Sequence, residues 1–260
     1  NSAHYLENGE NIIIEGKNLF VNPRLEEVGE LGTFEVYPNR DSLPYKILYG
    51  LNDALTVMRG TYRNIGWCAT LKAIVDLGLV DETPIVKVKG MTFQKMLAEL
   101  VGASESDNIR AKTAEILNIE IASPILDRLE WLGLFSDESV TNHDNRLDIL
   151  SDRLQEKLFY KEGEKDMILL QHKFTVENKN KMKEFITSTL IDYGITNGDS
   201  SMARTVSLPL AIGVKLILTG KITLTGIQIP IMKEIYDPVL NELEKMGIKM
   251  VEKISPKNSH

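Results

Sequence analysis

The sequence predicts an α+β fold: a mixed, largely antiparallel sheet with helices on one side and an inserted all-helical subdomain. Three observations carry that expectation. Short β-rich runs bounded by Gly, Asn and Pro recur up to about Gly90 and return after Gly163. Between them, apolar residues repeat at three and four, the helical spacing. A polar Asn/Lys stretch separates two long β-rich runs near residues 167–193, which reads as a hairpin. The expected layout is one discontinuous α/β domain, 1–90 with 164–230, around a helical insert at 91–163, followed by a closing helix and tail at 231–260.

In chain order, Ile12–Ile14, Thr33–Tyr37, Ala54–Tyr62 and Ile85–Val88 read as strands. Ile65–Leu77 reads as a helix, with Trp67, Leu71, Ile74 and Val75 on one face and Asn64 as N-cap. The insert holds four apolar sets: Phe93 to Val101, Ile109 to Leu117, Ile125 to Leu132 and Leu147 to Leu158. Met167–Val176 and Lys183–Tyr193 form the expected hairpin, and a helix follows from Ser201 to Leu218. Ile222–Ile229 reads as a short strand. Asp237-Pro238 reads as the start of the last helix, with Gly247 ending it. The polar tail from Lys253 is expected to fray.

Composition excludes several classes of function. With 43% hydrophobic and 26% charged residues in 260, a sizeable core is available. A net charge of −7 argues against general nucleic-acid binding, which needs a positive face. The longest apolar run, Leu208–Leu218, is broken by Gly213 and Lys215, short of the roughly 18 residues that span a bilayer. No membrane partner is expected. The single cysteine, Cys68, rules out an internal disulfide and fits a reducing compartment such as the cytoplasm. Its apolar neighbours suggest a buried structural thiol rather than a nucleophile. Neither G-x-G-x-x-G after a strand nor G-x-x-x-x-G-K-S/T occurs, and no His/Cys spacing suits a metal. The opening Asn1-Ser2-Ala3, with a strand close behind, suggests part of a longer polypeptide.

Two arginines stand out by register. Strand alternation places Phe34, Val36, Pro38 and Arg40 on one face, and Leu55, Val57, Arg59, Thr61 and Arg63 on another. Each run starts apolar and finishes on a guanidinium, a charge that needs a partner if it leaves a core face. Arg63 also stands just before a helix start, where free backbone N–H groups favour an anion. If the strands are neighbours, two guanidinium forks could grip a ligand with several carboxylates. The plainer reading pairs Arg40 with Asp41 and lets Arg63 cap a carbonyl. His172, on a face with Leu170, Phe174 and Val176, reads as a core or boundary histidine, and the Asn197–Ser201 loop as a turn and N-cap that could also hold an anion.

Several ordered stretches resemble one family. Tyr37-Pro38-Asn39-Arg40-Asp41-Ser42, Met58-Arg59-Gly60-Thr61-Tyr62-Arg63 and Ser201-Met202-Ala203-Arg204-Thr205-Val206 are similar to segments of glutamate-forming saccharopine dehydrogenases, with Ala73–Leu79 and Glu234–Pro238 in step. The resemblance implies a three-part enzyme: a Rossmann domain, an α/β substrate-binding and dimerisation domain, and a helical domain inserted into it. This chain resembles the last two parts, with residues 231–260 packing on the cofactor domain. It implies oxidation of saccharopine with NAD or NADP to an imine, which water splits to aminoadipate semialdehyde and glutamate. By motif, Arg40, Thr61, Tyr62 and Arg63 match substrate-binding positions. The acid and base belong to the cofactor domain, so no catalytic residue is assigned and no cofactor is expected on this chain. The implied partners are saccharopine, or a similar multi-carboxylate amino acid, and a second copy of the chain. Tyr62 stands where leucine is common, and the Gln171–Phe174 segment keeps only part of the family pattern. A related carboxylated-polyamine dehydrogenase is therefore an alternative. A winged-helix reading of 103–136 meets six acidic against three basic side chains, the wrong sign for DNA.

Overall fold

The computed structural model describes residues 2–85, 89–104, 106–177, 179–180 and 182–256. The expected strand at Ile85–Val88 lies mostly outside the described residues. The chain divides into two compact units, 1–159 and 160–260.

The first unit opens with a hairpin, β1 (Ala3–Glu7) and β2 (Glu10–Ile14), closed by Asn8-Gly9 with both residues at positive φ. Asn-Gly is the sequence that such a two-residue turn favours. Next, β3 (Arg24–Glu27), β4 (Thr33–Pro38) and β5 (Gly60–Arg63) form an antiparallel sheet in the order β3-β4-β5. A short helix, α1 (Leu43–Leu48), follows β4. The strand expected over Ala54–Tyr62 is shorter. Its first part lies along β1 instead, with Val57 and Leu6 exchanging backbone bonds at 2.9 and 3.1 Å. A Cβ at Gly60 would collide with Val36, so glycine lets the central strand close on β5.

Helix α2 (Trp67–Asp76) begins two residues later than expected, and its N-cap is Gly66 at φ +89 rather than Asn64. The helical zone follows as α3 (Phe93–Val101), α4 (Ile109–Leu117), α5 (Pro124–Trp131) and α6 (Arg146–Leu158). Thr92, Asn108, Ser123 and Asn145 each accept a backbone N–H at the helix starts. Their apolar faces meet α2 in one core, where Ile74, Leu79, Met96, Leu97, Leu126, Leu129, Leu134 and Ile149 are almost wholly buried. Arg153 clasps this layer: its side chain is buried, donates to Leu132 O at 2.6 Å, pairs with Glu138 and Glu156 at 2.5 and 2.8 Å, and lies over the Phe93 ring.

The second unit holds β6 (Met167–Glu177), β7 (Lys183–Tyr193), α7 (Ser201–Leu218), α8 (Lys233–Lys245) and β8 (Val251–Pro256). The tail does not fray at Lys253: β8 pairs antiparallel with β7 from Val251 to Pro256, because its backbone N–H and C=O groups complete the open edge of β7. No strand forms at Ile222–Ile229, an irregular segment with a bend at Gly226, which holds φ +79. Helix α8 starts four residues before Asp237, so Pro238 stands inside it rather than opening it. Leu190, Ile212, Leu216, Ile222, Leu243 and Ile248 make this unit's core. Helix α7 is 18 residues long with a mean hydropathy of 1.4, long and apolar enough by those measures to cross a membrane, contrary to the sequence expectation. Gly213 and Lys215 do not interrupt it, since a lone glycine or lysine costs a packed helix little.

Candidate functional site

The four residues singled out by motif lie on or beside β4 and β5. The pairing is antiparallel, with Glu35 opposite Arg63, Val36 opposite Tyr62, Tyr37 opposite Thr61 and Pro38 opposite Gly60. This corrects the convergence of arginines. The strands are indeed adjacent, but antiparallel strands exit at opposite ends, so Arg40 and Arg63 stand at either end of one ladder. At about 3.4 Å per residue, Arg63 and Asn39 are separated by roughly 14 Å of strand. Arg40 itself leaves the alternation at φ +57, with its carbonyl accepting from His4 N at 3.0 Å.

Alternation also divides the Thr61-Tyr62-Arg63 triplet. Tyr62 shares a face with Val36 and Phe34 and packs edge-on against the Phe34 ring at 5.9 Å. Its burial, with Glu26 nearby, raises the phenol above its ordinary pKa. Thr61 and Arg63 share the opposite face with Tyr37 and Glu35. Thr61 Oγ1 accepts from Asn39 Nδ2 at 3.0 Å. Arg63 Nη1 donates to Tyr62 O at 2.9 Å, as its plainer reading expects, and the guanidinium sits 5.3 Å from the Trp67 ring centroid. Arg63 Nε is buried and has no hydrogen-bond partner among the described residues. Arg40 is exposed and does not pair with Asp41, whose carboxylate lies 3.8 Å from His4 instead.

The helix starts that could bind an anion are already filled by the chain itself. Buried Glu35 accepts from Gly66 N at 2.9 Å and Cys68 N at 2.8 Å, capping α2 from the neighbouring strand. Buried Asp166 does the same for α7, accepting from Ser201 N at 2.7 Å and Met202 N at 2.8 Å, while Ser200 Oγ takes Ala203 N. Both carboxylates satisfy orphan N–H groups and the positive helix end together. The Asn197–Ser201 loop is therefore a turn and cap. The Ser201–Val206 motif is likewise structural: Ser201 Oγ donates to Asp192 at 2.6 Å and Arg204 holds the same carboxylate at 3.0 Å. Sequence reading missed Glu35 and Asp166, since nothing local to α2 or α7 signals a cap supplied from another element.

Cys68 is fully buried, and its thiol is pushed up to about 12, first by burial and then by the Glu35 carboxylate, with Arg63 opposing. That is the environment of a structural thiol. His172 is exposed and stacks beside Phe174, so it is not a core histidine. No cluster of His, Cys, Asp or Glu able to hold a metal exists among the described residues.

Every strand pair described is antiparallel, whereas a dinucleotide cradle needs parallel strands with a glycine-rich crossover turn. Fold and site thus define an α+β body bearing an arginine-flanked ladder. The family model described as the saccharopine dehydrogenase C-terminal domain matches residues 1–248, and the chain belongs to that family. It is 39% identical over 260 residues to the NADP(+), L-glutamate-forming saccharopine dehydrogenase of Saccharomyces cerevisiae, covering 97% of this chain and 58% of that protein. The corresponding Schizosaccharomyces pombe enzyme is 37% identical over 265 residues, covering 98% and 58%. The mitochondrial alpha-aminoadipic semialdehyde synthase of Bos taurus is 38% identical over 256 residues, covering 95% of this chain and 27% of that protein. Among solved structures, the apo histidine-tagged saccharopine dehydrogenase (L-Glu forming) from Saccharomyces cerevisiae superposes with a TM-score of 0.88 at 37% identity, covering 98% of this chain and 59% of that one. The chain spans about three fifths of the length of the saccharopine dehydrogenases it matches.

Proposed function

We propose that this chain is the substrate-binding part of a glutamate-forming saccharopine dehydrogenase acting in lysine metabolism. The names of its relatives support that reading, together with one observation: an arginine whose Nε is buried and unpartnered, on a face shared with Thr61, while a free guanidinium stands at the other end of the same ladder. Saccharopine carries three carboxylates on a long chain. A ligand of that reach suits cations set apart on one ladder better than cations at a single point. In this reading Arg63 and Arg40 bind separate carboxylates, Thr61 orients the ligand beside Arg63, and Tyr62 holds the strand through Phe34. The intact protein would use NAD or NADP, and the NADP(+) in the names of its relatives supports the latter. No hydride step is assigned to the residues of this chain. A homodimer and a cytoplasmic location complete the proposal, the latter supported by the one buried, unpaired thiol.

The test is Arg63→Lys in the intact protein, assayed with saccharopine. A fork becomes a point charge, and substrate binding should weaken by about 2 kcal/mol, read as a raised KM. Unchanged KM and kcat would reject the role.

A further inference from the structure

Every arginine of the chain except Arg40 and Arg128 has a side-chain hydrogen bond or ion pair to a described residue. Arg128 lies on α5, in the helical layer, yet its guanidinium rests on Gly66 at the start of α2. Gly66 holds φ +89, and a Cβ there would overlap that guanidinium, so the left-handed glycine makes the seat for it. The contact uses none of the arginine's donors. The next residue, Trp67, carries the Arg63 guanidinium over its ring. Two cations from different elements therefore meet one dipeptide.

Trp67 is also a wall of a cavity of about 210 Å³. The cavity is lined by Leu71, Ile74, Trp131 and Leu158, with Asn64, Thr70 and Arg128 as its polar residues. Apolar walls with few polar groups suit a methylene chain that ends in a charged group. We infer that Arg128 is a second carboxylate-binding residue beside Arg63, and that this cavity takes the aliphatic segment of the same ligand. The ligand class is an amino acid with carboxylates spaced by a run of methylenes. Arg128 then sets the chain length accepted, which gives the helical layer a part in specificity. This rests on the reading of Arg63 as a ligand-binding residue.

The experiment compares Arg128→Ala, Arg128→Met, Arg128→Lys and Arg63→Lys in the intact protein, measuring KM and kcat for saccharopine and the melting temperature. Arg128→Ala should raise KM roughly tenfold or more with kcat largely kept, since a charge-assisted bond is lost. Arg128→Met covers Gly66 without charge and should behave like Arg128→Ala, whereas Arg128→Lys should recover part of the loss. If Arg128→Met keeps the wild-type KM while Arg63→Lys raises it, the inference falls and the reading of Arg63 stands. If neither changes KM, both fall. A melting temperature that drops in Arg128→Ala but not in Arg128→Met identifies a packing effect, and the KM of Arg128→Met then decides.

Discussion

At the scale of single residues, burial decides which polar groups are free to act. Glu35 lies directly across the ladder from Arg63, yet it spends both carboxylate oxygens on the N–H groups of Gly66 and Cys68. That leaves the Arg63 Nε unpartnered and loads Cys68 with a nearby negative charge. The consequence for Cys68 can be measured. A thiol with a pKa near 12 stays protonated at pH 8 and alkylates slowly, so native chain should react with iodoacetamide far more slowly than chain in denaturant. Rapid native labelling would contradict the buried environment. The same shift bears on alkaline stability. The unfolded thiol loses its proton near its ordinary pKa while the folded one retains it. Unfolded chain then binds fewer protons, and this group's contribution is complete below the ordinary thiol range and lost as pH rises toward 12. An alkaline melting curve of Cys68→Ala that falls less steeply than wild type would show it.

At the scale of elements, both longer-range caps follow one design: a carboxylate from outside the helix accepts from two N–H groups at its start. For α7 the carboxylate is Asp166, whose Oδ1 also lies where a Cβ on Gly194 would stand. Asp166→Asn preserves shape but removes the charge from two buried bonds. It should cost about 1.5–3 kcal/mol and lower the melting temperature. An unchanged melting curve would mean that Ser200 caps the helix unaided. Helices α3 to α6 were legible because each start carries its own Ser, Thr or Asn and each stripe its own period. Start points at α2 and α8 were not, since Asn64 and Asp237 look like caps locally but the chain turns elsewhere. β8 escaped notice for a related reason: its short run carries Glu252, Lys253 and Ser255 among few apolar residues, and only the open edge of β7 makes it a strand.

At the scale of the whole molecule, the second unit presents an apolar surface that its own core does not use. Val206, Leu210 and Leu218 on α7 are 64%, 71% and 82% exposed, and a cavity of about 720 Å³ runs from Leu210 past Val214 to Leu240. Contiguous apolar exposure of this kind binds hydrophobic probes. Leu210→Lys should reduce the fluorescence of a hydrophobic dye on the chain without lowering its melting temperature, because Leu210 packs on little. A lower melting temperature would place Leu210 in the core instead.

By itself the sequence determined the fold class, the helices between Phe93 and Leu158 and the hairpin strands. Those properties rest on periodicity, turn chemistry and local order, which are written along the chain. Only the tertiary structure decided that the two arginines stand at opposite ends of a ladder, that Tyr62 turns away from its neighbours, and that carboxylates from other elements fill the helix starts. Strand direction and cross-strand register are set by packing between distant segments, so a face inferred from one strand cannot say which end of its neighbour it will meet.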